Sequence, residues 1–391
     1  MGKTQARRKT AAKPKVTAKP KSSPVKKASA KTVGAKKIAA KKKEADTPFI
    51  TTLTIENFKS IKSLKLNPKR VNVFIGEPNS GKTNILEALS LLSEDNLHKG
   101  YFNHILRIER AKQLFCEQNS KNTIRIQTNK NKYLIFEDKY NTSNSFPLFN
   151  YLLADNQTSS YLSKEIQNTL DISYTHFGNT NVLGDSFKHN SGFRTNVNYY
   201  IYNSTQELSD STNEVLNQPH GSNIIHVLKS NSELAKLVAL YLEEQNRKLG
   251  VYEEQQRLEI ISEKNGLLYS YTYLSLSETL RRYFFLEAIL KSNNQNVILL
   301  DEPDTHAFPP YVKQFAEEIA FQKSNQFFIT THNPYMLGSL VEKTPTKELA
   351  VFICRKENNQ TKVYELNEKQ ILQVMDYDVD VFFNLDRIIG L

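Results

Sequence analysis

The strongest constraint on how this chain folds comes from residues 76–83. They read Gly-Glu-Pro-Asn-Ser-Gly-Lys-Thr, so four residues separate two glycines, and a lysine and a hydroxyl residue follow. An apolar run at 71–75 precedes them, and apolar side chains recur at helical spacing across 84–92. The pattern predicts a strand, a tight glycine turn and a helix whose amino end faces a phosphate group.

Each residue type in this loop has its own expected part in binding a triphosphate together with Mg²⁺. Gly76 and Gly81 let successive backbone N–H groups point at the phosphates. Lys82 is expected to reach the terminal phosphates, and the Thr83 hydroxyl is expected to bind Mg²⁺. The alternative is a chance glycine-rich turn, which the flanking strand and helix patterns disfavour. The predicted nucleotide-binding residues of this region are Gly76, Asn79, Ser80, Gly81, Lys82, Thr83 and Asn84.

Two acids follow a second apolar run, at the place where a buried strand is predicted to end. The run covers 296–300, and Asp301 and Glu302 come directly after it. Asp301 is the candidate metal ligand, because a sheet presents a carboxylate at the exposed end of a buried strand. Glu302 is the candidate general base for an attacking water molecule. The alternative is that both acids only cap the next helix; together with the glycine loop, they indicate ATP hydrolysis.

A histidine follows a third predicted strand. The apolar run at 326–330 leads through Thr331 into His332. A histidine there could donate a hydrogen bond to the terminal phosphate or to the attacking water. The alternative is a histidine with satisfied hydrogen bonds in the core or at a helix cap. The position after a third core strand favours function, so Glu302 and His332 are the predicted catalytic residues.

Apolar runs and helical patterns alternate along the chain after residue 48, which predicts an α/β fold. We expect a mixed, largely parallel sheet flanked by helices. Residues 123–126 and 133–136 are predicted to form a hairpin, and 231–262 are predicted to form a helix. The predicted domains are a disordered Lys-rich tail (1–48), a first ATPase lobe (49–139), an insertion with a helical arm (140–262) and a second lobe (263–391).

The basic residues are concentrated in the tail. The whole chain has a net charge of +11, and residues 1–48 hold 16 lysines and arginines against two acids, a net of +14. The remaining residues hold 36 basic and 39 acidic side chains, a net of −3. A tail with so few large apolar residues is expected to be disordered. It is suited to contact nucleic acid or another polyanion through counterion release, although it could also be a solvated arm or bind an acidic protein.

The cysteine count and the hydropathy predict a cytoplasmic protein. Cys116 and Cys354 are too few for a disulfide framework, which favours a reducing compartment. No apolar run reaches the roughly 18–20 residues that a membrane span needs. The amino terminus lacks the apolar segment of a signal peptide. We therefore expect no contact with a membrane.

Four segments together resemble a known class of ATPase. Ile55–Ile61 followed by Gly76–Asn84 resembles the start of the head domain of ABC-type ATPases, the clan that includes the structural-maintenance-of-chromosomes (SMC), RecF and Rad50 proteins. Asp301–Tyr311 and Thr330–Leu337 resemble the compact bacterial branch near the overcoming-lysogenisation-defect ATPases. The resemblance implies ATP and Mg²⁺ as ligands. It also implies a homo-oligomer in which two heads enclose two nucleotides.

In that clan a serine-containing signature segment of one subunit contacts the nucleotide of the other subunit. The candidate here is Leu274–Arg282, which lacks the glycine of the family pattern. Ser277 is the first choice for the contacting hydroxyl, and Ser275 is the second. The missing glycine indicates slow turnover. The alternative is that Ser277 is an ordinary helix N-cap.

The resemblance implies two further parts of the site. A glutamine that senses Mg²⁺ is expected after the first helix, and Gln118 and Gln113 are both candidates. Residues that contact the opposing subunit are expected shortly after the second motif, where Asp304 and His306 are the candidates. The alternative is that Asp304 and His306 are solvated turn residues.

A compact ATPase of this type resembles the ATPase component of two-gene anti-phage systems, such as the AriA-like component of PARIS. The resemblance implies a sensor or switch that controls a separate effector, in the first place a nuclease toxin. Asp376–Asp380 is interpreted as a solvated turn and not as the acidic motif of a nuclease domain. The alternatives are a RecF-like or SMC-like DNA-binding ATPase in repair or recombination and a scaffold that binds nucleotide without hydrolysis.

Overall fold

The computed structural model describes residues 49–93, 105–109, 111–137, 149–155 and 196–390. The chain divides into two units, Met1–Asp46 and Thr47–Leu391. The predicted tail at 1–48 lies outside the described residues. Within the described ranges, no helix is both long enough and apolar enough to cross a membrane.

The regular elements are numbered in chain order. The described strands are β1 (Leu53–Phe58), β2 (Ile61–Leu66), β3 (Val71–Gly76), β4 (Ile124–Thr128), β5 (Asn131–Glu137), β6 (Phe149–Asp155), β7 (Val197–Tyr200), β8 (Arg247–Tyr252), β9 (Arg257–Lys264), β10 (Leu267–Thr272), β11 (Val297–Asp301), β12 (Gln326–Thr330), β13 (Leu349–Glu357) and β14 (Gln360–Glu365). The described α-helices are α1 (Lys82–Ser90), α2 (Ile224–Ser230), α3 (Ser232–Glu243), α4 (Glu278–Ser292), α5 (Pro309–Phe321), α6 (Pro334–Lys343), α7 (Glu368–Tyr377) and α8 (Leu385–Ile389).

The central sheet has six strands in the order β14-β13-β3-β12-β11-β7. All neighbours run parallel except β13 and β14, so the predicted mixed and largely parallel sheet is confirmed. β3, β11 and β12 are almost unbroken apolar runs because both faces of a parallel sheet are buried. Their carboxyl ends meet at one edge of the sheet, where Gly76, Asp301 and Thr330 lie.

Side chains of the central sheet alternate between two apolar layers. On β3, Val73 belongs to the layer that includes buried residues of α4, α5 and α6, while Phe74 belongs to the layer that includes α1. The second layer also takes in buried residues of β1 and β4, which lie in a five-stranded antiparallel sheet of order β2-β1-β4-β5-β6. The predicted hairpin is confirmed, since β4 and β5 pair antiparallel with Ile124 opposite Ile135. Both faces of the central sheet are therefore covered.

The prediction of a single helix across 231–262 is wrong. The helix α3 ends at Glu243, and β8, β9 and β10 follow as a three-stranded antiparallel sheet. Asn246 has a positive φ of 54°, which ends the helical path. On β9, Leu258 and Ile260 are buried at the two-residue spacing of a strand.

A two-residue turn joins β9 to β10. Asn265 and Gly266 have positive φ values of 53° and 75°, as the favoured hairpin turns require. Lys264 pairs with Leu267 across this turn. Asn-Gly is a strong hairpin signal, and it follows closely after the range that is predicted to be helical.

β7 lies inside the predicted insertion at 140–262 and yet belongs to the central sheet. It pairs in parallel with β11, and Tyr200 lies opposite Leu300. This segment therefore supplies an edge strand directly beside the strand that ends in Asp301.

The prediction of a turn at Asp376–Asp380 is wrong. Asp376 belongs to α7, and Asp380 belongs to a 3₁₀ helix, Asp378–Phe383, that continues it. Both of these side chains are exposed, as expected of solvated acids. The helical path follows from apolar residues that are buried at helical spacing, namely Ile371 and Val374.

Candidate nucleotide-binding site

The glycine loop leaves the carboxyl end of β3 through three residues with positive φ. Gly76, Asn79 and Gly81 have φ values of 145°, 60° and 93°. A Cβ atom on Gly76 would collide with the backbone carbonyl oxygen of Cys354 on β13. A Cβ atom on Gly81 would collide with the Thr361 hydroxyl oxygen on β14. Both glycines are therefore required by conformation and by close approach.

Lys82 begins α1, and its side chain folds back over the loop. Its Nζ donates hydrogen bonds to the carbonyl oxygens of Gly76 at 3.0 Å and Glu77 at 2.8 Å, and it lies 3.4 Å from Ser80 Oγ. Burial lowers the pKa of Lys82, while the nearby carboxylates of Glu302 and Asp301 oppose the shift. Neutral carbonyl oxygens thus hold the lysine at the loop. A negatively charged phosphate oxygen could replace them as the hydrogen-bond acceptor.

Asp301 is the meeting point of the glycine loop and the second motif. Thr83 Oγ1 donates to Asp301 Oδ1 at 3.0 Å, and Thr330 Oγ1 donates to the same oxygen at 2.6 Å. Tyr199 donates its hydroxyl proton to Asp301 Oδ2 at 3.4 Å. The carboxylate is therefore oriented by hydroxyl groups that come from α1, β12 and β7.

The oxygen atoms of Thr83 and Asp301 fit a Mg²⁺ ion held together with a nucleotide. Mg²⁺ prefers oxygen ligands and is usually bound by one or two protein side chains plus substrate phosphates. Across the described residues, no group of three or more His, Cys, Asp or Glu side chains could hold a metal on its own. A metal site here therefore needs the phosphate oxygens as well.

Glu302 and His332 lie side by side next to this pair. Glu302 has a positive φ of 48°, and its backbone N–H lies 2.9 Å from Thr330 Oγ1, to which it donates. Glu302 Oε1 lies 3.4 Å from His332 Nε2, and Thr305 Oγ1 donates to Glu302 Oε2 at 3.4 Å. Burial and then the positive charge of Lys82 lower the pKa of His332, so its imidazole is neutral at neutral pH. The structure thus brings both predicted catalytic residues together with Lys82, Thr83 and Asp301.

A buried carboxylate on α1 binds two cations from other parts of the chain. Glu87 is fully buried and forms ion pairs with Lys59 and, at 3.0 Å, with Arg107 Nε. Arg107 Nη2 also lies 4.0 Å from Asp301 Oδ2. Burial lowers the pKa of Lys59, and Glu87 opposes this shift. Arg107 therefore connects α1 to the candidate metal ligand; it lies outside every motif, and nothing in the sequence marks it.

Asn84 joins the loop to the β1–β2 turn. Its Nδ2 donates to Ser60 Oγ at 2.6 Å, and the hydroxyl oxygens of Ser60 and Thr361 lie 2.6 Å apart. A cavity of about 770 Å³ opens beside Ser60, and the two glutamine candidates Gln113 and Gln118 line it.

A second cavity of about 260 Å³ lies beside the carboxylates, and Arg107 lines both cavities. Its lining includes Thr83, Asp301, Glu302 and Tyr202, but neither Gln113 nor Gln118. The cavity that contains Asp301 is thus lined by Arg107 and by the tyrosines Tyr200 and Tyr202, while both glutamines line the neighbouring cavity.

The two signature serines lie at the amino end of α4 and just before it. Ser277 is the N-cap of α4, and its Oγ accepts the Leu280 N–H at 3.3 Å. Ser275 ends the 3₁₀ helix Tyr273–Ser275. Both serines are exposed, and neither lines the cavity of about 260 Å³ that contains Thr83 and Asp301.

Asp304 and His306 occupy different environments. Asp304 is buried, and its Oδ2 accepts the Thr331 hydroxyl at 3.0 Å, so the interpretation of Asp304 as a solvated turn residue is wrong. Burial raises the pKa of Asp304 to about 6. His306 has a positive φ of 56°, and its carbonyl oxygen accepts the Thr279 hydroxyl at 3.1 Å. The segment after Glu302 is therefore tied to both α4 and β12.

A largely parallel sheet with a glycine loop on β3, its acids on β11 and a parallel strand between them defines a P-loop nucleotide-binding domain. The chain belongs to the family described as "AAA domain, putative AbiEii toxin, Type IV TA system", which matches residues 71–338. This family assignment confirms the predicted P-loop class. No curated protein matches the chain.

Solved structures with a similar fold include two head domains of SMC proteins. One, described as the SMC head bound to the C-winged helix domain of ScpA, has 16% identity and a TM-score of 0.46, with 83% of this chain and 100% of that chain covered. The other, the SMC head domain from Thermotoga maritima, has 14% identity and a TM-score of 0.38, with 81% of this chain and 99% of that chain covered.

Proposed function

We propose that this protein binds ATP with Mg²⁺ and hydrolyses it to ADP and phosphate. The observation that supports this most directly is the contact between Thr83 Oγ1 and Asp301 Oδ1, which lie 3.0 Å apart although 218 positions separate them in sequence. The two motifs expected of a nucleoside triphosphatase therefore meet at the contact between Thr83 and Asp301. Lys82, Glu302 and His332 surround the same point.

In the proposed reaction Lys82 gives up its carbonyl acceptors and binds the terminal phosphates. Thr83 and Asp301 would hold Mg²⁺, which would neutralise charge on the phosphate oxygens. Glu302 orients a water molecule and accepts its proton as the water oxygen attacks the γ-phosphorus. The bond from that phosphorus to the β–γ bridging oxygen breaks, and ADP leaves with the bonding electron pair.

His332 donates a hydrogen bond from Nε2 in this scheme. Its low pKa keeps the imidazole neutral, so a single ring proton is available for Glu302, the water or the phosphate. The 3.4 Å separation between His332 Nε2 and Glu302 Oε1 supports an interaction of both side chains with the same water. His332 thus aligns the general base with the terminal phosphate.

We further propose that two subunits pair when ATP is bound. Glu302 and His332 are 43% and 35% exposed at their side chains, so the catalytic side of the site is open. The serines Ser277 and Ser275 are exposed elsewhere on the same subunit. A second copy that presents one of these hydroxyls would complete the site, and the homo-oligomer would then depend on nucleotide.

The biological role we propose is a cytoplasmic switch in bacterial anti-phage defence that controls a separate effector, of the nuclease-toxin kind found in PARIS-type systems. The family's description names a toxin and a toxin–antitoxin system, which supports such a setting. Genes beside this one test the proposal: a neighbouring nuclease gene is expected. Replication or repair genes alone in that position would contradict it.

A second function is favoured by one specific observation, the net charge of +14 in residues 1–48. A RecF-like or SMC-like ATPase of repair or recombination would use this tail to bind DNA. Deleting residues 1–46 and measuring DNA affinity against salt concentration tests it. This function requires a loss of affinity and a flatter salt slope on deletion. Unchanged affinity and slope would exclude a DNA-binding role for the tail.

The enzymatic proposal is tested by phosphate release from ATP. Lys82→Ala is expected to lose nucleotide affinity, because the buried ammonium at the loop is removed. The matched control is Lys65→Ala, which removes an exposed lysine on β2 and is expected to leave affinity unchanged. Equal affinity in the Lys82→Ala variant and the wild-type protein would contradict the proposed site.

A further inference from the structure

The segment that follows β14 is packed against the side of the site that contains His332. Val381 and Leu385 of this segment are buried in the same apolar layer as Met336 and Leu337 of α6. These anchors hold the 3₁₀ helix Asp378–Phe383 at a fixed place beside the amino end of α6. The segment therefore places Phe382 beside His332.

The backbone on both sides of His332 is also fixed. Thr331 is fully buried, and its hydroxyl donates to Asp304 Oδ2 at 3.0 Å. Asn333 caps α6, and its Oδ1 accepts the Tyr335 N–H at 2.9 Å. Because Thr331 and Asn333 are fixed by these hydrogen bonds, His332 can move mainly by rotation of its side chain.

Two side chains limit that rotation. Nε2 of His332 faces Glu302 Oε1 at 3.4 Å, and the Phe382 ring lies beside the imidazole with centroids 6.2 Å apart and planes tilted by 36°. This separation lies within the range of centroid distances, about 4.5–7 Å, at which aromatic rings interact. We propose that Phe382 is a positioning residue that keeps His332 Nε2 directed at Glu302 and at the reacting phosphate. This inference depends on the proposed hydrolysis.

Phe382 also shields the imidazole from water. The charged groups that face His332 are Lys82, which lowers its pKa, and Glu302 and Asp301, which raise it, while burial has the largest effect. Removal of the Phe382 ring would admit water to one side of the imidazole. The pKa of His332 is then expected to rise toward its ordinary value of 6.5.

The chain provides a matched control in the next residue. Phe383 has the same side chain on the same 3₁₀ helix, but it is 88% exposed. A Phe383→Ala variant therefore removes equal apolar volume from the segment without touching His332. Phe382→Leu keeps an apolar side chain of similar bulk at the inner position, so it guards against a general loss of folding.

The test combines histidine titration by NMR with steady-state hydrolysis in the full-length protein, with His332→Gln used to assign the signal. Phe382→Ala is expected to raise the His332 pKa and to lower kcat roughly ten- to hundredfold at similar KM. Phe382→Leu is expected to recover most of both effects, and Phe383→Ala is expected to change neither. An unmoved His332 titration in Phe382→Ala, or an equal shift in Phe383→Ala, would overturn the inference.

The two readouts separate this inference from the function on which it depends. Titration of His332 is measured without nucleotide, and it reports the ring contact directly. Absence of ATP hydrolysis in the wild-type protein would overturn the proposed function. Wild-type hydrolysis together with an unchanged kcat in Phe382→Ala would overturn the positioning role alone.

Discussion

At the scale of single residues, a buried carboxylate beside the candidate site is paired with two cations. Glu87 is a fully buried carboxylate between Lys59 and Arg107, and Arg107 lies next to Asp301. A buried charge is tolerated when it is paired, and removal of one partner leaves the others uncompensated. The stability of the glycine-loop helix is thus tied to charges around the site.

Glu87→Gln is expected to destabilise the fold by about 3 kcal/mol, because it leaves the Lys59 and Arg107 cations without their buried carboxylate. Urea unfolding measures the change. The matched control is Glu56→Gln, which breaks the partly exposed pair with Arg125 and is expected to cost less than about 1 kcal/mol. Equal losses in the two variants would show that burial of Glu87 does not govern the effect.

Asp304 is expected to make stability depend on pH. Its pKa in the fold is about 6 against an ordinary value of 3.8, so the fold favours the protonated form. The stabilising contribution is therefore complete below pH 3.8 and is lost as the pH rises through about 6.

Between about pH 5 and pH 8, the wild-type protein should lose roughly 1 kcal/mol of unfolding free energy relative to Asp304→Asn. Urea unfolding at the two pH values measures this difference. The control variant is Asp380→Asn, which changes an exposed acid. Its unfolding free energy relative to the wild-type protein should be the same at both pH values. A constant gap between the wild-type protein and Asp304→Asn would count against the raised pKa.

At the scale of elements, the sequence predicts best where local pattern and burial agree. β3, β11 and β12 are apolar runs buried on both faces, and the loop residues that follow them are recognisable from their chemistry alone. Arg107 and Tyr199 cannot be found in this way, because their contacts with Asp301 exist only after α1, β7 and β11 pack together.

The error at 231–262 has a local cause. Charged residues interrupt the apolar spacing there, so the alternation of Leu258 and Ile260 is short and a helix of charged residues fits it equally well. Asn246 and Gln256 have positive φ values inside this range, which one continuous helix does not allow. The Asn265–Gly266 turn lies just beyond the range, and weight given to this dipeptide would have predicted the hairpin of β9 and β10.

Two glycines with open space around them test this explanation. An added Cβ would meet nothing within 4 Å at either Gly266 or Gly338. Gly266→Ala is expected to cost about 1 kcal/mol because φ is 75° in the hairpin turn. Gly338→Ala lies inside α6 and is expected to stabilise by up to about 1 kcal/mol. The unfolding free energies of the two variants measure these effects. Changes of the same sign in the two variants would contradict the explanation.

At the scale of the whole molecule, the proposed hydrolysis depends on pairing of two subunits. Glu302→Gln keeps the shape of the general base and removes its basicity, so ATP is expected to stay bound and to hold two subunits together. Light scattering after gel filtration with ATP and Mg²⁺ should give a mass larger than that without nucleotide. Lys82→Ala should show no such increase. A Glu302→Gln variant with one mass in both conditions would contradict nucleotide-dependent pairing.

We propose that Glu302 is the base in ATP hydrolysis at a site formed with Lys82, Thr83 and Asp301. The decisive measurement is phosphate release by the wild-type protein and by Glu302→Gln at saturating ATP, with nucleotide binding measured in parallel. We expect Glu302→Gln to bind ATP as the wild-type protein does and to release phosphate at least about a hundredfold more slowly. Phosphate release at the wild-type rate in Glu302→Gln, with ATP bound, would contradict the claim.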